Sequence, residues 1–419
     1  MTRIGITALV LMSTLWAIPA RADFVIRDGD TVVFLGDSIT AARAYGKIVE
    51  NYTLLRFPDR KVHFVNAGWG GDTAAGGLKR LERDVFSQGA TVLTVAYGIN
   101  DIGWGAKADD EHKRQYLEAI RGIVTQCQER GVRVFICSAA ITGADPSKSE
   151  EDFLQKMCDE GMDIARSLGV GAIDVQRTMR SIQKNVWAAN ANAKEGQQKE
   201  TLHAADGIHL NDLGQLAMAF AILKGLGAPA DVSSVVIDAA KPELVAAKAC
   251  QVTHVSGDAA HLQFDRLDEG LPLNFGPLGA LQFRFVPVPA ELNRYMLTVS
   301  NLKPGRYDIL VDDRPLGTFS QEQLARGLNI GSATADGWEP GGTWDVQCTT
   351  LIALTDARNE LAQSQRIATH YSPQSARVAA LRTPAQEINA RLEDLQRATV
   401  RPQTYHFLIR PATEKKAQS

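Results

Sequence analysis

The stretch Thr31-Val32-Val33-Phe34-Leu35-Gly36-Asp37-Ser38-Ile39-Thr40 joins a continuous apolar run to a short polar turn. Apolar runs of this length are typical of strands buried on both faces of a parallel sheet. A serine at a strand-to-helix turn lies near a helix N-terminus, where free N–H groups favour developing negative charge. The segment therefore predicts a buried strand that presents Ser38 at its carboxyl end.

Further apolar runs continue this pattern, and they cover Val62–Asn66, Thr91–Tyr97, Val132–Ser138 and Val170–Val175. Helical patterns lie between the runs. The clearest one covers Glu111–Arg130 and ends at Gly131, a residue typical of helix C-termini. Strands that alternate with helices predict a three-layer α/β/α fold with right-handed crossovers. In such folds ligands bind beyond the carboxyl ends of the strands.

The pattern changes after Asp238. Short strands are predicted at Leu281–Val286, Tyr295–Val299, Tyr307–Val311 and Thr318–Phe319, and helices at Thr343–Gln363 and Ala385–Thr399. We therefore expect residues 239–419 to form an α+β accessory region, with a small antiparallel sheet plus helices. We expect this region to dock on an α/β domain of residues 23–238 and to share its core.

Composition excludes some classes of protein. The chain has 419 residues, with 45 Lys+Arg against 48 Asp+Glu and a net charge of −3. That balance does not suggest the basic face of a nucleic-acid-binding protein. After the N-terminus no apolar run is long enough to span a membrane. The five cysteines are an odd number, so at least one is unpaired or pairs between chains, and the sequence leaves the disulfide pairing open.

The first 22 residues have the pattern of a secretory signal peptide. Arg3 precedes the mostly apolar Ile4–Ile18, and small residues at Ala20 and Ala22 mark a cleavage site before Asp23. A buried first helix or an uncleaved anchor is the alternative. The pattern predicts a periplasmic or secreted protein.

Four loops carry side chains that can take part in a chemical reaction. They contain Gly36-Asp37-Ser38, Asn66-Ala67-Gly68-Trp69-Gly70-Gly71-Asp72-Thr73, Gly98-Ile99-Asn100-Asp101 and Asp206-Gly207-Ile208-His209. Taken singly, each motif has a structural explanation: a helix cap for the Ser38 motif, a Gly-rich loop or turn with a cap for the next two, and a structural histidine for His209. Together they supply a nucleophile, backbone and amide donors, and a histidine with a carboxylate, which is the full set for acyl transfer by a serine.

These motifs resemble those of the SGNH hydrolases, the GDSL esterase/lipase superfamily. The marker residues of the family match Ser38, Gly71, Asn100 and His209, in order, and the resemblance covers roughly residues 30–225. It implies a flavodoxin-like sheet of five parallel strands. The usual leucine after the serine is Ile39 here, a conservative change.

The resemblance also implies a role for each residue. Ser38 is the nucleophile, His209 its base, and Asp206 the carboxylate that orients the imidazole. The backbone N–H groups of Ser38 and Gly71 and the side-chain amide of Asn100 form the oxyanion hole. The family needs no metal or cofactor, so we expect none.

The substrate is less constrained. Trp69, Trp104 and Trp187 lie on or near the active-site loops and are candidates for stacking on sugar rings, or alternatively for packing under loops. The polar stretch Gln183–His203 suits a hydrated ligand better than a lipid tail. With these features the chain resembles bacterial carbohydrate acetylesterases. We therefore expect it to hydrolyse acetyl esters on a saccharide, which is either a small molecule or a polysaccharide.

Other functions remain open from the sequence. A lipase, a lysophospholipase or a thioesterase uses the same catalytic set, and an O-acetyltransferase passes the same acyl group to a sugar hydroxyl. A non-catalytic saccharide-binding module is the alternative outside enzymes. The sequence does not decide the oligomeric state.

Overall fold

A computed structural model describes residues 24–279 and 281–412. The predicted signal peptide, residues 1–22, and its cleavage site before Asp23 lie outside the described residues. Export therefore stays a prediction from sequence. Within the described ranges, no helix combines the length and the apolar character that a membrane crossing requires.

The first half of the chain forms the predicted parallel sheet. Its strands are β1 (Thr31–Gly36), β2 (His63–Gly68), β3 (Val92–Ala96), β4 (Arg133–Cys137) and β5 (Gly171–Ile173). They lie in the order β2-β1-β3-β4-β5 and all adjacent pairs are parallel. This is the flavodoxin-like order, and it confirms the predicted fold class. β2 is an edge strand of this sheet.

Helices cover both faces of the sheet. They are α1 (Ser38–Ala41), α2 (Ala44–Arg56), α3 (Ala74–Lys79), α4 (Leu81–Asp84), α5 (Asp110–Glu129), α6 (Phe153–Ser167), α7 (Val175–Ala191) and α8 (Asp212–Gly225). α2, α7 and α8 pack with β1 residues such as Phe34, whereas α3, α5 and α6 share a core with alternate β1 residues such as Leu35. Because successive strand residues point to opposite faces, one apolar run supplies both cores.

The second half adds two further sheets. Its strands are β6 (Asp231–Asp238), β7 (Glu243–Lys248), β8 (Cys250–Gly257), β9 (Leu262–Asp268), β10 (Arg294–Ser300), β11 (Arg306–Val311), β12 (Arg314–Ser320), β13 (Leu328–Asn329) and β14 (Thr404–Pro411). One sheet has the order β13-β10-β6-β7, and the other is antiparallel with the order β12-β11-β14-β9-β8. The helices are α9 (Gly276–Gly279), α10 (Val288–Glu291), α11 (Gln321–Arg326), α12 (Thr343–Tyr371) and α13 (Ala376–Thr399).

One predicted strand is absent from this structure. Leu281–Val286 was predicted as a strand, but Gln282–Arg284 is a 3₁₀ turn. Phe285 and Val286 are both buried, and neighbouring strand residues would point to opposite faces. The expected boundary after Asp238 falls at the end of β6, which pairs with β10 and β7. The change of architecture therefore lies before β6, after α8.

The two halves share one apolar core. The cluster that contains Phe34 of β1 and Phe220 of α8 continues through Val235 of β6 to Trp344 of α12 and Phe407 of β14. Trp344 is fully buried there. The core on one face of the parallel sheet is therefore shared between the halves, whereas the core on the other face is formed by the first half alone.

A buried ion pair joins the halves beneath this core. Glu50 of α2 accepts hydrogen bonds from Arg358 of α12 at 2.5 Å and from Gln396 of α13 at 2.8 Å. Both charged side chains are only 3% exposed. Arg358 also donates to the carbonyl oxygen of Phe64 on β2, at 3.0 Å. The long hairpin of α12 and α13 is thereby fixed to the edge of the parallel sheet.

We expect Glu50→Leu to destabilise the fold strongly, because it removes the closest anion of the buried Arg358 guanidinium and leaves only Glu393, at 3.7 Å. Breaking one partner of a buried pair typically costs about 3–5 kcal/mol. The paired replacement Glu50→Leu with Arg358→Met should recover most of that loss, since neither charge of the pair then stays buried. Denaturant unfolding of the wild type, both single variants and the double variant measures the coupling. Additive losses in the double variant would contradict the account.

Candidate active site

Ser38 begins α1 directly after β1, as the sequence predicts. The preceding Asp37 caps this short helix, since its carboxylate accepts the N–H of Ile39 at 2.9 Å. The loop after β2 lies against the same helix. At Gly68 a β-carbon would come within 2.2 Å of the backbone nitrogen of Ala41, so only glycine permits this approach. Ser38 is half-buried at the edge of the sheet.

The structure brings His209 and Asp206 to Ser38 across 171 positions of sequence. The Nε2 atom of His209 lies 2.9 Å from Ser38 Oγ, and its Nδ1 lies 2.6 Å from a carboxylate oxygen of Asp206. The other Asp206 oxygen accepts the backbone N–H groups of Ile208 and His209, both at 2.9 Å. The bond to the imidazole and these N–H donors lower the pKa of Asp206 to about 2. Asp206 is therefore an anion whenever the imidazole needs orienting.

The predicted oxyanion donors Gly71 and Asn100 follow β2 and β3, the two strands that flank β1. Gly71 has φ of +73°, and a β-carbon there would meet no atom within 4 Å, so the space beside it is open. Within the described residues, the backbone N–H groups of Ser38 and Gly71 have no hydrogen-bond acceptor. The Asn100 amide donates one N–H to the carbonyl oxygen of Asp72 at 3.0 Å, which leaves its second N–H for a ligand. This arrangement suits the negative oxygen of a tetrahedral intermediate.

Trp104 contacts two of the predicted catalytic side chains, Asn100 and His209, which the sequence did not predict. Its indole N–H donates to the Asn100 side-chain oxygen at 2.9 Å, and its ring meets the His209 ring edge-on at 5.8 Å. Its φ of +58° is unusual for a residue with a side chain, and Gly103 and Gly105 on either side also have positive φ. The Gly-Trp-Gly triplet just after the Asn100 motif was the sequence signal for this tight turn.

The other two predicted tryptophans lie elsewhere. Trp69 packs on His370 of α12, with ring centroids 4.5 Å apart, and Arg366 lies 5.2 Å above its ring. Trp187 lies on α7 and is 45% exposed. The three predicted tryptophans therefore have different surroundings. Trp104 contacts Asn100 and His209, Trp69 connects the loop after β2 to the α12–α13 hairpin, and Trp187 remains only a candidate for ligand contact.

Hydrogen bonds of Asp72 and Asp101 hold the loops after β2 and β3 in place. Asp72 accepts hydrogen bonds from Arg80 at 2.8 Å and from the Tyr97 hydroxyl at 2.9 Å, which fixes the loop that carries Gly71. Asp101 accepts the N–H of Ala74 at 2.9 Å, while its second carboxylate oxygen is buried without a partner. Burial raises the pKa of Asp101 to about 7, and burial likewise raises that of Asp37 to about 6.

No group of three or more His, Cys, Asp or Glu side chains is arranged to hold a metal ion among residues 24–279 and 281–412. The absence of a metal or cofactor requirement stays a prediction. All five cysteines are unpaired thiols, and Cys127, Cys137, Cys158 and Cys348 are buried.

We expect Trp104→Phe to lower kcat for an ester by about tenfold with little change in KM, because the Asn100 amide loses the contact that fixes its orientation. Removing an oxyanion donor outright costs about 10²–10³ in kcat, so Asn100→Ala should be worse. In the Asn100→Ala background, Trp104→Phe should cost little more. Trp187→Phe is the matched control. A loss that is equal in both backgrounds would show that Trp104 does not act through Asn100.

We expect Asp101 to make stability depend on pH. Burial raises its folded-state pKa to about 7, above the ordinary value of an aspartate, so the stability it contributes is present below about pH 4 and lost as the pH rises through 7. We expect Asp101→Asn to flatten the fall in melting temperature between pH 5 and pH 8. The exposed Asp59→Asn is the control, and a slope that matches the wild type in Asp101→Asn would refute the assignment.

Comparisons with known proteins show a family match and a shared fold. Residues 34–217 match the model of the GDSL-like lipase/acylhydrolase family. BT4096, described as a gut microbial diltiazem-metabolizing enzyme, has the same fold over 94% of this chain and 100% of its own, at 22% identity and a TM-score of 0.81.

Two other solved structures match only part of the chain. Axe2, an acetylxylan esterase from Geobacillus stearothermophilus, matches 48% of this chain and 96% of its own, at 19% identity and a TM-score of 0.42. LAE5, an alpha/beta hydrolase from the metagenome of Lake Arreo, matches 49% and 98%, at 21% identity and a TM-score of 0.40. The search of curated proteins found no match. Residues 34–217 thus match a GDSL-like lipase/acylhydrolase domain, and the chain shares the fold of BT4096.

Proposed function

We propose that the protein is a serine esterase that removes short acyl groups, acetyl above all, from a saccharide through an acyl-enzyme. The observation that carries the proposal is the hydrogen-bonded chain from Ser38 Oγ through the His209 ring to Asp206, at 2.9 Å and 2.6 Å. Serine is a weak nucleophile until a neighbouring base accepts its proton, and this chain provides the base together with the group that orients it.

In the first half-reaction Ser38 Oγ attacks the ester carbonyl carbon while its proton passes to His209 Nε2. Asp206 stabilises the imidazolium that forms. The carbonyl oxygen becomes an anion and accepts hydrogen bonds from the Ser38 and Gly71 backbone N–H groups and from the Asn100 amide. Collapse breaks the carbon–oxygen bond, and His209 returns the proton to the departing sugar hydroxyl.

In the second half-reaction a water molecule attacks the acyl-Ser38 ester. His209 takes the water proton, and the same donors hold the second tetrahedral anion. Collapse releases the carboxylic acid and restores the serine hydroxyl with the proton from His209. If a sugar hydroxyl replaces water, the same steps transfer the acyl group instead.

The choice of a saccharide rests on polarity. The segment that begins in the last turns of α7 and ends before His209 is rich in amides and mostly exposed. Part of it lines a cleft of about 600 Å³ together with Arg284, through Asn185, Asn190, Asn192 and Gln197. Such side chains exchange hydrogen bonds with hydroxyl groups, whereas a fatty acyl chain needs apolar lining.

The test pairs covalent labelling with a substrate series. We expect Ser38→Ala to lose nearly all activity while melting like the wild type, and a serine-directed fluorophosphonate to label the wild type at Ser38 alone. Ser167→Ala, an exposed serine on α6, is the matched control. Persistent labelling of Ser38→Ala would overturn the assignment of the nucleophile.

The acyl preference is measured with 4-nitrophenyl acetate, butyrate and octanoate, followed by acetylated oligosaccharides. We expect kcat/KM to fall with chain length and acetate to be released from the sugars. A preference for octanoate would favour a lipase or thioesterase, and acetyl groups found on an added acceptor sugar rather than in free acetate would favour a transferase. We propose an extracytoplasmic location from the predicted signal peptide.

A further inference from the structure

Two exposed glycines separate the oxyanion donor from the side chains that fix its loop. A β-carbon at Gly70 or at Gly71 would meet no described atom within 4 Å, and both residues are exposed. Packing on these two residues therefore does little to set the direction of the Gly71 N–H. That direction depends on the residues on either side, Trp69 and Asp72, whose side chains do have partners.

Asp72 is held by the first half of the chain. Its carboxylate accepts hydrogen bonds from Arg80 at 2.8 Å and from the Tyr97 hydroxyl at 2.9 Å. Its carbonyl oxygen accepts the Asn100 amide at 3.0 Å. One end of the Gly70-Gly71 segment is thus fixed within the parallel-sheet domain itself.

The Trp69 side chain is held by the second half. Its ring centroid lies 4.5 Å from that of His370 and 6.3 Å from that of Tyr371. The Arg366 guanidinium lies 5.2 Å from the same centroid. All three neighbours belong to α12, so the α12–α13 hairpin fixes the other end of the segment.

Arg366 also bonds to the backbone at the start of this loop. It donates to the carbonyl oxygen of Gly68, the last residue of β2. The next N–H along the chain, that of Trp69, donates to the carbonyl oxygen of Gly36 on β1 at 2.9 Å. The start of the loop is therefore bonded to β1 on one side and to α12 on the other.

A cavity of about 920 Å³ adjoins this contact and lies between the α12–α13 hairpin and the edge strand β2. Trp69, Arg366 and His370 are among its lining residues. Because side chains do not fill this space, Trp69 has room to shift once Arg366 no longer holds it. A loop packed tightly on every side would keep its position after the same loss.

The place of Arg366 is unfavourable for a cation. Among the described residues its hydrogen bonds go to the Gly68 carbonyl oxygen and to the Gln363 side chain, the latter at 3.0 Å, and not to a carboxylate. Burial lowers the pKa of Arg366 to about 10, and the nearby Arg80 adds to this effect against the opposing charge of Asp84. A buried cation of this kind contributes little to the stability of the fold.

We propose that the hairpin is part of the catalytic apparatus, with Arg366 as a positioning residue that holds Gly68 and Trp69 and thereby orients the Gly71 N–H toward the anionic oxygen of the tetrahedral intermediate. The proposal rests on the proposed function, because it needs an oxyanion to form at this loop. The accessory region then contributes to the rate of turnover as well as to folding.

Arg366→Met separates positioning from stability. It removes the charge and the bond to Gly68 but keeps an unbranched apolar side chain beside Trp69. We expect kcat for 4-nitrophenyl acetate to fall about tenfold, less than the 10²–10³ of a lost donor, with KM changed less than about twofold. The melting temperature should stay the same or rise, because the unpaired charge is gone. A kcat loss that follows a lower melting temperature would overturn the positioning role.

Two further variants complete the series. Arg366→Lys retains a donor for the Gly68 carbonyl oxygen, so it should lose less kcat than Arg366→Met. Arg377→Met, at the exposed start of α13, is the matched control and should leave kcat unchanged. An equal loss in Arg377→Met would overturn the proposal.

A boronic acid that forms a tetrahedral anion on Ser38 reports on the oxyanion donors directly. Its inhibition constant should rise about tenfold in Arg366→Met, in step with the loss of kcat, because the analogue and the transition state use the same N–H groups. An unchanged inhibition constant beside a lowered kcat would show that the donors are still in place and would refute the role of Arg366.

Amide hydrogen exchange tests the contact without turnover. Peptides that cover residues 66–73 should exchange faster in Arg366→Met than in the wild type, whereas those of β3 should exchange equally. Unchanged exchange in residues 66–73 would overturn the proposal. A wild type that hydrolyses no ester, together with the expected change in exchange, would refute the proposed function while Arg366 keeps its role in fixing the loop.

Discussion

The ion pair of Glu50 with Arg358 fixes the position of the α12–α13 hairpin against the parallel sheet. Two charges removed from water are costly, and the cost is offset only when the remaining hydrogen-bonding groups are also satisfied. Here Gln396 and the Phe64 carbonyl oxygen supply those partners. Because the acceptors lie on α2 and β2 and the donors on α12 and α13, only one placement of the hairpin satisfies them all. The cavity walls and the surroundings of Trp69 follow from that placement.

The parallel sheet was predictable because its signals are local. The five apolar runs matched strands to within a few residues, as their continuous hydrophobicity is that of strands covered on both faces. Placement of the motif residues at the carboxyl ends of the strands then brought Ser38, Gly71 and Asn100 to one edge. The contact of His209 with Ser38 came from the family resemblance rather than from spacing.

Other features of the fold and the site could not be predicted, because no local sequence pattern indicates them. β7 is exposed along its whole length, so it lacks the alternation by which strands are recognised, and Leu281–Val286 shows a strand-like composition without being a strand. The hydrogen bond of Trp104 to Asn100 depends on a positive φ at a non-glycine residue, a conformation that tertiary contacts impose. From the sequence, Arg366 is indistinguishable from a surface arginine on an amphipathic helix. Only the tertiary structure shows that it lies against the edge strand β2.

The position of β14 determines when the molecule can be completed. This strand lies in the middle of its sheet, between β11 and β9, and its pairing residues are 404–411. During synthesis the parallel sheet has all its strands long before residues 404–411 leave the ribosome. Until they do, β11 and β9 have no neighbour to connect them, and the apolar cluster that α2 and α8 share with Phe407 stays open. The nascent chain therefore exposes part of its apolar interior to water until β14 has been synthesised.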